Sequence, residues 1–168
     1  MFSLARGERK LGSLSAEQVW ELLQEVKDPE IPSVSVVEMG MVYRVRIGQK
    51  WVEVELMPTF VGCPALDIIR EKVSEQMLQQ EGIEQVEVRF IFDPPWTSKR
   101  ITPEGSRKLR EFGIASPVGR DDDPLQLPAC PYCGSAEGEV ENLFGPTACR
   151  AIYYCKSCRQ PFEGMKKV

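Results

Sequence analysis

The segment LSAEQVWELLQEVKDPE repeats apolar residues at helical spacing: Ala16, Val19, Leu23 and Val26, with Trp20 and Leu22 alongside. Ser15 precedes it and Gln18 follows three residues on, the pattern of a capping box. Pro29 and Pro32 stop the helix. The pattern then changes to alternation. SVVEMGMVYRVRIGQKWVEVELMP reads as two strand arms, with Val42, Val45 and Ile47 in one and Val52 and Val54 in the other. GQK at 48–50 supplies a tight turn between them. Leu66, Ile69, Val73 and Met77 return to helical spacing; Pro64 is placed to open that helix and Gly82 to close it. IEQVEVRFIF alternates as a third strand. After a loop, Thr102, Pro103 and Gly113 mark the cap, first residue and stop of a third helix.

Helix, strand, strand, helix, strand, helix predicts an α+β domain, a small mixed sheet with helices packed on it. Its bounds are 13–113. Residues 114–128 hold prolines and an acidic triplet, the composition of a linker. Residues 129–168 form a cysteine-rich module of their own, and the linker is expected to separate two cores. Residues 1–12 read as a loose polar lead-in.

Composition narrows the chemistry. The 168 residues carry a net charge of −4, which argues against a nucleic-acid backbone partner. No apolar run is long enough for a membrane helix, and the N-terminus lacks the features of a secretory signal, so a cytoplasmic, thiol-reducing setting is expected. There is no histidine. Any metal ligands are therefore Cys, Asp or Glu.

Cys130-Pro131-Tyr132-Cys133 and Cys155-Lys156-Ser157-Cys158 are two C-x-x-C knuckles at zinc-ribbon spacing. Four thiolates can close a tetrahedral site and fold a segment too small for much core of its own. Structural zinc is the expectation; rubredoxin-like iron or a cluster, and disulfides, are the alternatives. Cys149 stands outside the knuckles, either as a small buried residue or as a second reactive thiol or transient cluster ligand.

Cys63 stands alone in PTFVGCPA. If the helix begins at Pro64, Cys63 is its N-cap, where unpaired amides favour an anion and a thiol ionises more easily. Gly62 allows a close turn, and the Thr59 hydroxyl could donate to the sulfur. Such a thiolate could take a metal, a persulfide or a partner's cluster; the other reading is a cysteine filling a gap at a helix start.

Asp28-Pro29-Glu30, Glu38 through Val42, and Thr59 through Gly62-Cys63-Pro64 resemble the iron–sulfur assembly domain shared by SufT and the eukaryotic cytosolic iron–sulfur targeting factor. PTFVGCPA, WTSKRITPEGSRKLREFGIASP and FGPTACRAIYYC with its flanking knuckles extend the match to the PaaD family, the accessory subunits encoded with phenylacetyl-CoA 1,2-epoxidase. The resemblance runs from about residue 15 to 165. It departs where the family usually has Asp and Leu at Glu38 and Met39, and an Asp-Trp pair at Lys99-Arg100.

The resemblance implies a non-catalytic accessory protein of aerobic phenylacetate degradation. It would assist maturation or maintenance of iron–sulfur clusters, or of iron, in the epoxidase system. Zinc would sit in the ribbon, and a cluster would be held at most transiently. The implied partner is the oxygenase or the iron–sulfur reductase subunit, with a homodimer left open. A rubredoxin-like electron carrier and a purely structural oxygenase subunit are the alternatives.

Overall fold

The computed structural model describes residues 14–117 and 126–168. The expected lead-in at 1–12 and the middle of the expected linker lie outside them.

Helix α1, Ala16–Glu25, begins as its caps dictate: Ser15 Oγ accepts from Gln18 N at 3.2 Å, and Gln18 Oε1 accepts from Ser15 N at 2.8 Å. Val19, Leu23 and Val26 are buried, while Trp20 faces outward. The chain then turns at Asp28, whose Oδ1 accepts from Glu30 N at 2.8 Å and Ile31 N at 3.0 Å. Residues 31–41 follow as a folded-in loop that buries Ile31, Val34, Val36, Met39 and Met41.

The alternating pattern extends back through this loop, but strand β1 starts only at Val42. The cause is local. Gly40 takes a φ of +65°, and an added Cβ there would lie 2.1 Å from Arg100 O. Arg100 also donates from Nε to Gly40 O at 2.8 Å and from Nη2 to Val42 O at 3.0 Å. These bonds hold a bend where a strand would be extended.

Strands β1 (Val42–Ile47) and β2 (Trp51–Leu56) form the expected hairpin. Helix α2, Leu66–Leu78, crosses over to β3, Gln85–Phe90, which pairs parallel to β2. The sheet is therefore mixed, in the order β1-β2-β3. On its inner face Val52, Val54 and Leu56 are fully buried. On its other face Glu53 and Glu55 lie between Arg44, Arg46 and Arg89, with Arg44 Nε 2.8 Å from Glu55 Oε2. The arginine stems cover both carboxylates, so each glutamate is only 8% exposed.

Helix α3, Pro103–Glu111, starts where Thr102 Oγ1 accepts from Gly105 N at 3.0 Å, and Gly113 follows it with a φ of +88°. Gly105 is needed for contact: its missing Cβ would fall 2.5 Å from Glu38 O. Beneath it Glu38 is buried, bonded to Lys108 Nζ and to Ser35 N. Burial works to raise the Glu38 pKa, but those donors outweigh it and hold the carboxyl below its ordinary value.

The C-terminal module is a second sheet, ordered β4-β7-β6-β5. It comprises β4 (Ile114–Ala115), β5 (Gly138–Asn142), β6 (Arg150–Cys155) and β7 (Pro161–Met165). Ile114 and Ala115, placed by composition at the start of the linker, are thus a strand, parallel to β7. A smaller core of Ala115, Ala151, Tyr153 and Phe162 lies around the buried ribbon cysteines. The cores do not part at the linker as expected: Ile114 and Met165 are buried in the core of the first domain, and Cys149 packs against it. The reason is the β4–β7 pairing, which lays the ribbon against the end of α3.

Candidate metal and thiol sites

The two knuckles fold alike. Gly134 N donates to Cys130 O and Arg159 N to Cys155 O, each at 2.9 Å. Both donors have positive φ, 75° and 58°, so each turn tightens just after its second cysteine. The four sulfurs of Cys130, Cys133, Cys155 and Cys158 lie within 4.8 Å of one another. Cys130 Sγ is 3.7 Å from Cys158 Sγ, and Cys133 Sγ is 3.6 Å from Cys155 Sγ. A tetrahedron with metal–sulfur bonds of ~2.3 Å has edges of about 3.8 Å. A disulfide needs ~2.05 Å. The quartet therefore fits a tetrahedral metal and not two disulfides. Cys155 suits a thiolate ligand: N–H donors of Cys158 and Ser157 help hold its thiol down to about 7.

Cys63 lies elsewhere, in the turn leading to α2. It is not the helix cap: α2 begins at Leu66 with Ala65 as its N-cap. Phe60 O accepts from Cys63 N at 3.3 Å and Cys63 O from Leu66 N at 3.4 Å, so a separate turn comes first. The expected easy ionisation fails with it. Burial pushes the Cys63 thiol up, and Glu30, Cys149 and Asp28 add to the rise; a bond from the Ala65 amide only partly opposes them. Gly62, at a φ of +82°, has open space around it. Thr59 lines a largely apolar cavity of about 330 Å³ with Phe60, Val61, Ile91, Phe92 and Trp96.

The groups that act on the Cys63 thiol come from distant parts of the chain. Cys149 belongs to the loop before β6, and its thiol is also pushed up, first by burial and then by Glu30 and Asp28; Thr147 and Arg150 act the other way. Thr147 Oγ1 is 3.3 Å from Cys149 Sγ. Burial raises Glu30 too, with Asp28 reinforcing and Arg150 opposing. The two loops are tied by Lys166. Its N–H donates to Cys149 O at 2.8 Å, and its ammonium lies 5.7 Å from the Phe60 ring centre and 5.8 Å from that of Phe144. Asp28 and Glu30 thus act electrostatically on both Cys63 and Cys149, whereas Thr59 and Gly62 lie on the loop leading to Cys63. Arg150 and Thr147 are members that the sequence did not suggest. Thr147 had a local signal, two residues before Cys149; Arg150 reaches Glu30 only through the fold.

The comparisons with known proteins follow this division. Residues 16–90 match the family model described as iron–sulfur cluster assembly protein, and residues 115–166 match the PaaD zinc beta ribbon domain. A protein of Escherichia coli (strain K12), provisionally named as one of the subunits of 1,2-phenylacetyl-CoA epoxidase, is 38% identical over 152 residues, 89% of this chain and 91% of its own. The chain belongs to the PaaD family.

Other relatives match only about half of this PaaD-family chain. The Fe-S protein maturation auxiliary factor of Porphyromonas gingivalis is 33% identical over 55% of this chain and 89% of its own length. Among solved structures, a conserved hypothetical protein from Thermotoga maritima superposes with a TM-score of 0.50 at 35% identity, covering 60% of this chain and 96% of that one. The α+β assembly domain and the C-terminal zinc ribbon expected from the sequence are therefore both present. No described helix is long and apolar enough to cross a membrane.

Proposed function

We propose that this chain is a non-catalytic accessory factor of the phenylacetyl-CoA epoxidase system, assisting iron–sulfur cluster or iron maturation. Its client would be the oxygenase or the iron–sulfur reductase subunit, and its place of action the cytoplasm. One observation carries the reading: Cys63, on an assembly-type domain, is a free, half-buried thiol outside the closed four-sulfur group of the ribbon. A closed four-thiolate site suits folding support, and an open one suits exchange. Zinc is the occupant we assign to Cys130, Cys133, Cys155 and Cys158, where it would supply folding energy to the ribbon. Cys63 is the residue we assign to handling the cargo.

The experiment replaces Cys63 by serine in cells growing on phenylacetate and measures the cluster content of the epoxidase reductase and the iron content of the oxygenase. A loss in either supports the reading. A fully loaded, active epoxidase would remove it. The electron-carrier alternative rests on the same tetrahedral sulfur geometry, which also suits iron. The visible spectrum of protein purified under nitrogen separates the two, because iron–thiolate sites are coloured and zinc sites are not.

A further inference from the structure

We propose that the mouth of the apolar cavity beside the Cys63 loop, together with the ribbon tip at Leu143 and Phe144, is the docking surface for a client segment that presents an acidic side chain next to a bulky apolar one. The proposal goes beyond the maturation reading in naming how the client is held, and rests on it only for which protein the client is.

The cavity is built before anything enters it. Trp96 forms part of its wall, 3% exposed and fixed by its indole bond to Met39 O at 2.9 Å. Val168 forms another part, and its O accepts from Ser98 N at 3.1 Å and from Ser98 Oγ at 3.2 Å. Phe60 and Val61 also line it, only three and two positions before Cys63. Its volume of about 330 Å³ leaves room for a large apolar side chain.

The ribbon extends this apolar surface. Phe144 is 83% exposed and Leu143 61%. The Phe144 ring is presented by a closed turn: Phe144 N donates to Asn142 Oδ1 at 2.9 Å, and Gly145 N donates to Arg150 O at 3.1 Å. A Cβ on Gly145 would fall 2.7 Å from Arg150 O, so glycine is what lets the turn close. The Lys166 ammonium joins the two parts, 5.7 Å from the Phe60 ring centre and 5.8 Å from that of Phe144. Apolar side chains exposed singly need no explanation, whereas a continuous patch of them marks a contact surface.

Lys166 decides what covers that surface. Among the described residues no carboxylate stands within ion-pair distance of its ammonium, which lies against the two rings. Apolar atoms alone would strip its water and give nothing back. An arriving carboxylate supplies the missing partner, so charge complementarity selects an acidic segment over a lipid tail or a wholly apolar helix. A second copy laid on this face by a two-fold axis would bring up a second Lys166, and like charges oppose that pairing. The patch draws side chains from both domains, which suits a protein segment better than a small molecule.

The test uses the full zinc-loaded chain and the purified oxygenase and reductase subunits of the epoxidase, with affinity measured by titration calorimetry. Val61→Asp and Phe144→Asp change side chains that are 73% and 83% exposed, so both variants should keep the wild-type unfolding midpoint. We expect one of the two subunits to bind, and each variant to bind it about tenfold more weakly or worse. Wild-type binding should weaken as salt rises, and that of Lys166→Met should change less. Wild-type affinity in both Asp variants overturns the docking surface, as does binding to neither subunit. Self-association in sedimentation that the two Asp variants abolish overturns it as well, in favour of a second copy. Unaltered binding by the Asp variants, alongside a Cys63→Ser strain with a depleted epoxidase, would remove this surface and keep the maturation reading. Lost binding in the Asp variants, with a fully loaded epoxidase in that strain, would keep the surface and remove the maturation reading.

Discussion

Met165 lies on β7 of the ribbon, is 2% exposed, and is buried in the core of the assembly domain. Replacing it by alanine should therefore destabilise a domain to which it does not belong in sequence. Truncating a buried methionine costs ~2–5 kcal/mol, through lost transfer energy and the cavity left behind. For a chain of this length, each kcal/mol moves the unfolding midpoint by roughly 2–4 °C. A cost of about 3 kcal/mol then becomes a fall of roughly 6–12 °C. Tryptophan fluorescence is the right observable, because Trp20, Trp51 and Trp96 all lie in the assembly domain. Trp96 is the best placed, 3% exposed with its indole N–H donating to Met39 O at 2.9 Å. The tryptophan midpoint should fall together with release of the ribbon metal. A tryptophan midpoint within about 1 °C of wild type, with earlier metal release, would refute the shared core and restore two independent units.

Gly105→Ala should destabilise the protein by about 1–3 kcal/mol in urea unfolding, because the new Cβ meets Glu38 O. Helix propensity alone would predict a gain of ~0.8–1.0 kcal/mol, so the sign decides the mechanism. Lys108→Met strips the buried Glu38 of its bonded cation and should cost about 3 kcal/mol at pH 7, the low end for a broken buried pair because the Ser35 amide remains. Since the folded pKa of Glu38 is lowered, its stabilisation is present above the ordinary value of 4.5 and is lost as pH falls through the folded value. The gap between Lys108→Met and wild type should accordingly shrink in acid unfolding curves. Cys63 should alkylate slowly at pH 7–8, with a rate that keeps rising past the ordinary thiol value of 9.0 instead of levelling there, and Glu30→Gln should speed it by removing a negative charge that acts on the thiol. Fast labelling of Cys63 near neutrality would contradict the thiol environment described.

Local signals carried through to the structure. Ser15 with Gln18, and Thr102 with Pro103 and Gly113, bound their helices because a cap is satisfied within four residues. The ribbon quartet was legible for the same reason, each knuckle being a short turn of fixed spacing. The start of α2 was not. Proline fits a first helical turn, but here Pro64 belongs to a turn closed by the Cys63 carbonyl, and the helix waits until Leu66. The setting of Cys63 was beyond reading for a different reason. Cys149, which acts on its thiol, belongs to the ribbon, and the ribbon's sheet takes in two residues just after α3; nothing in the composition of 114–128 marks Ile114 and Ala115 as a strand.

Among the described residues the three-stranded sheet leaves both β1 and β3 as edges, with the arginine-lined side as one of its broad faces. Such a surface is a template for stacking and strand addition by other chains. The Arg44, Arg46 and Arg89 guanidiniums over Glu53 and Glu55 make that template unattractive: a second sheet could seat there only by stripping water from a lattice of paired charges. The protection is electrostatic and lies partly in solvent, so it weakens as salt screens it. The protein should accordingly keep its molecules apart best at low ionic strength, and self-association in concentrated salt would begin at this face.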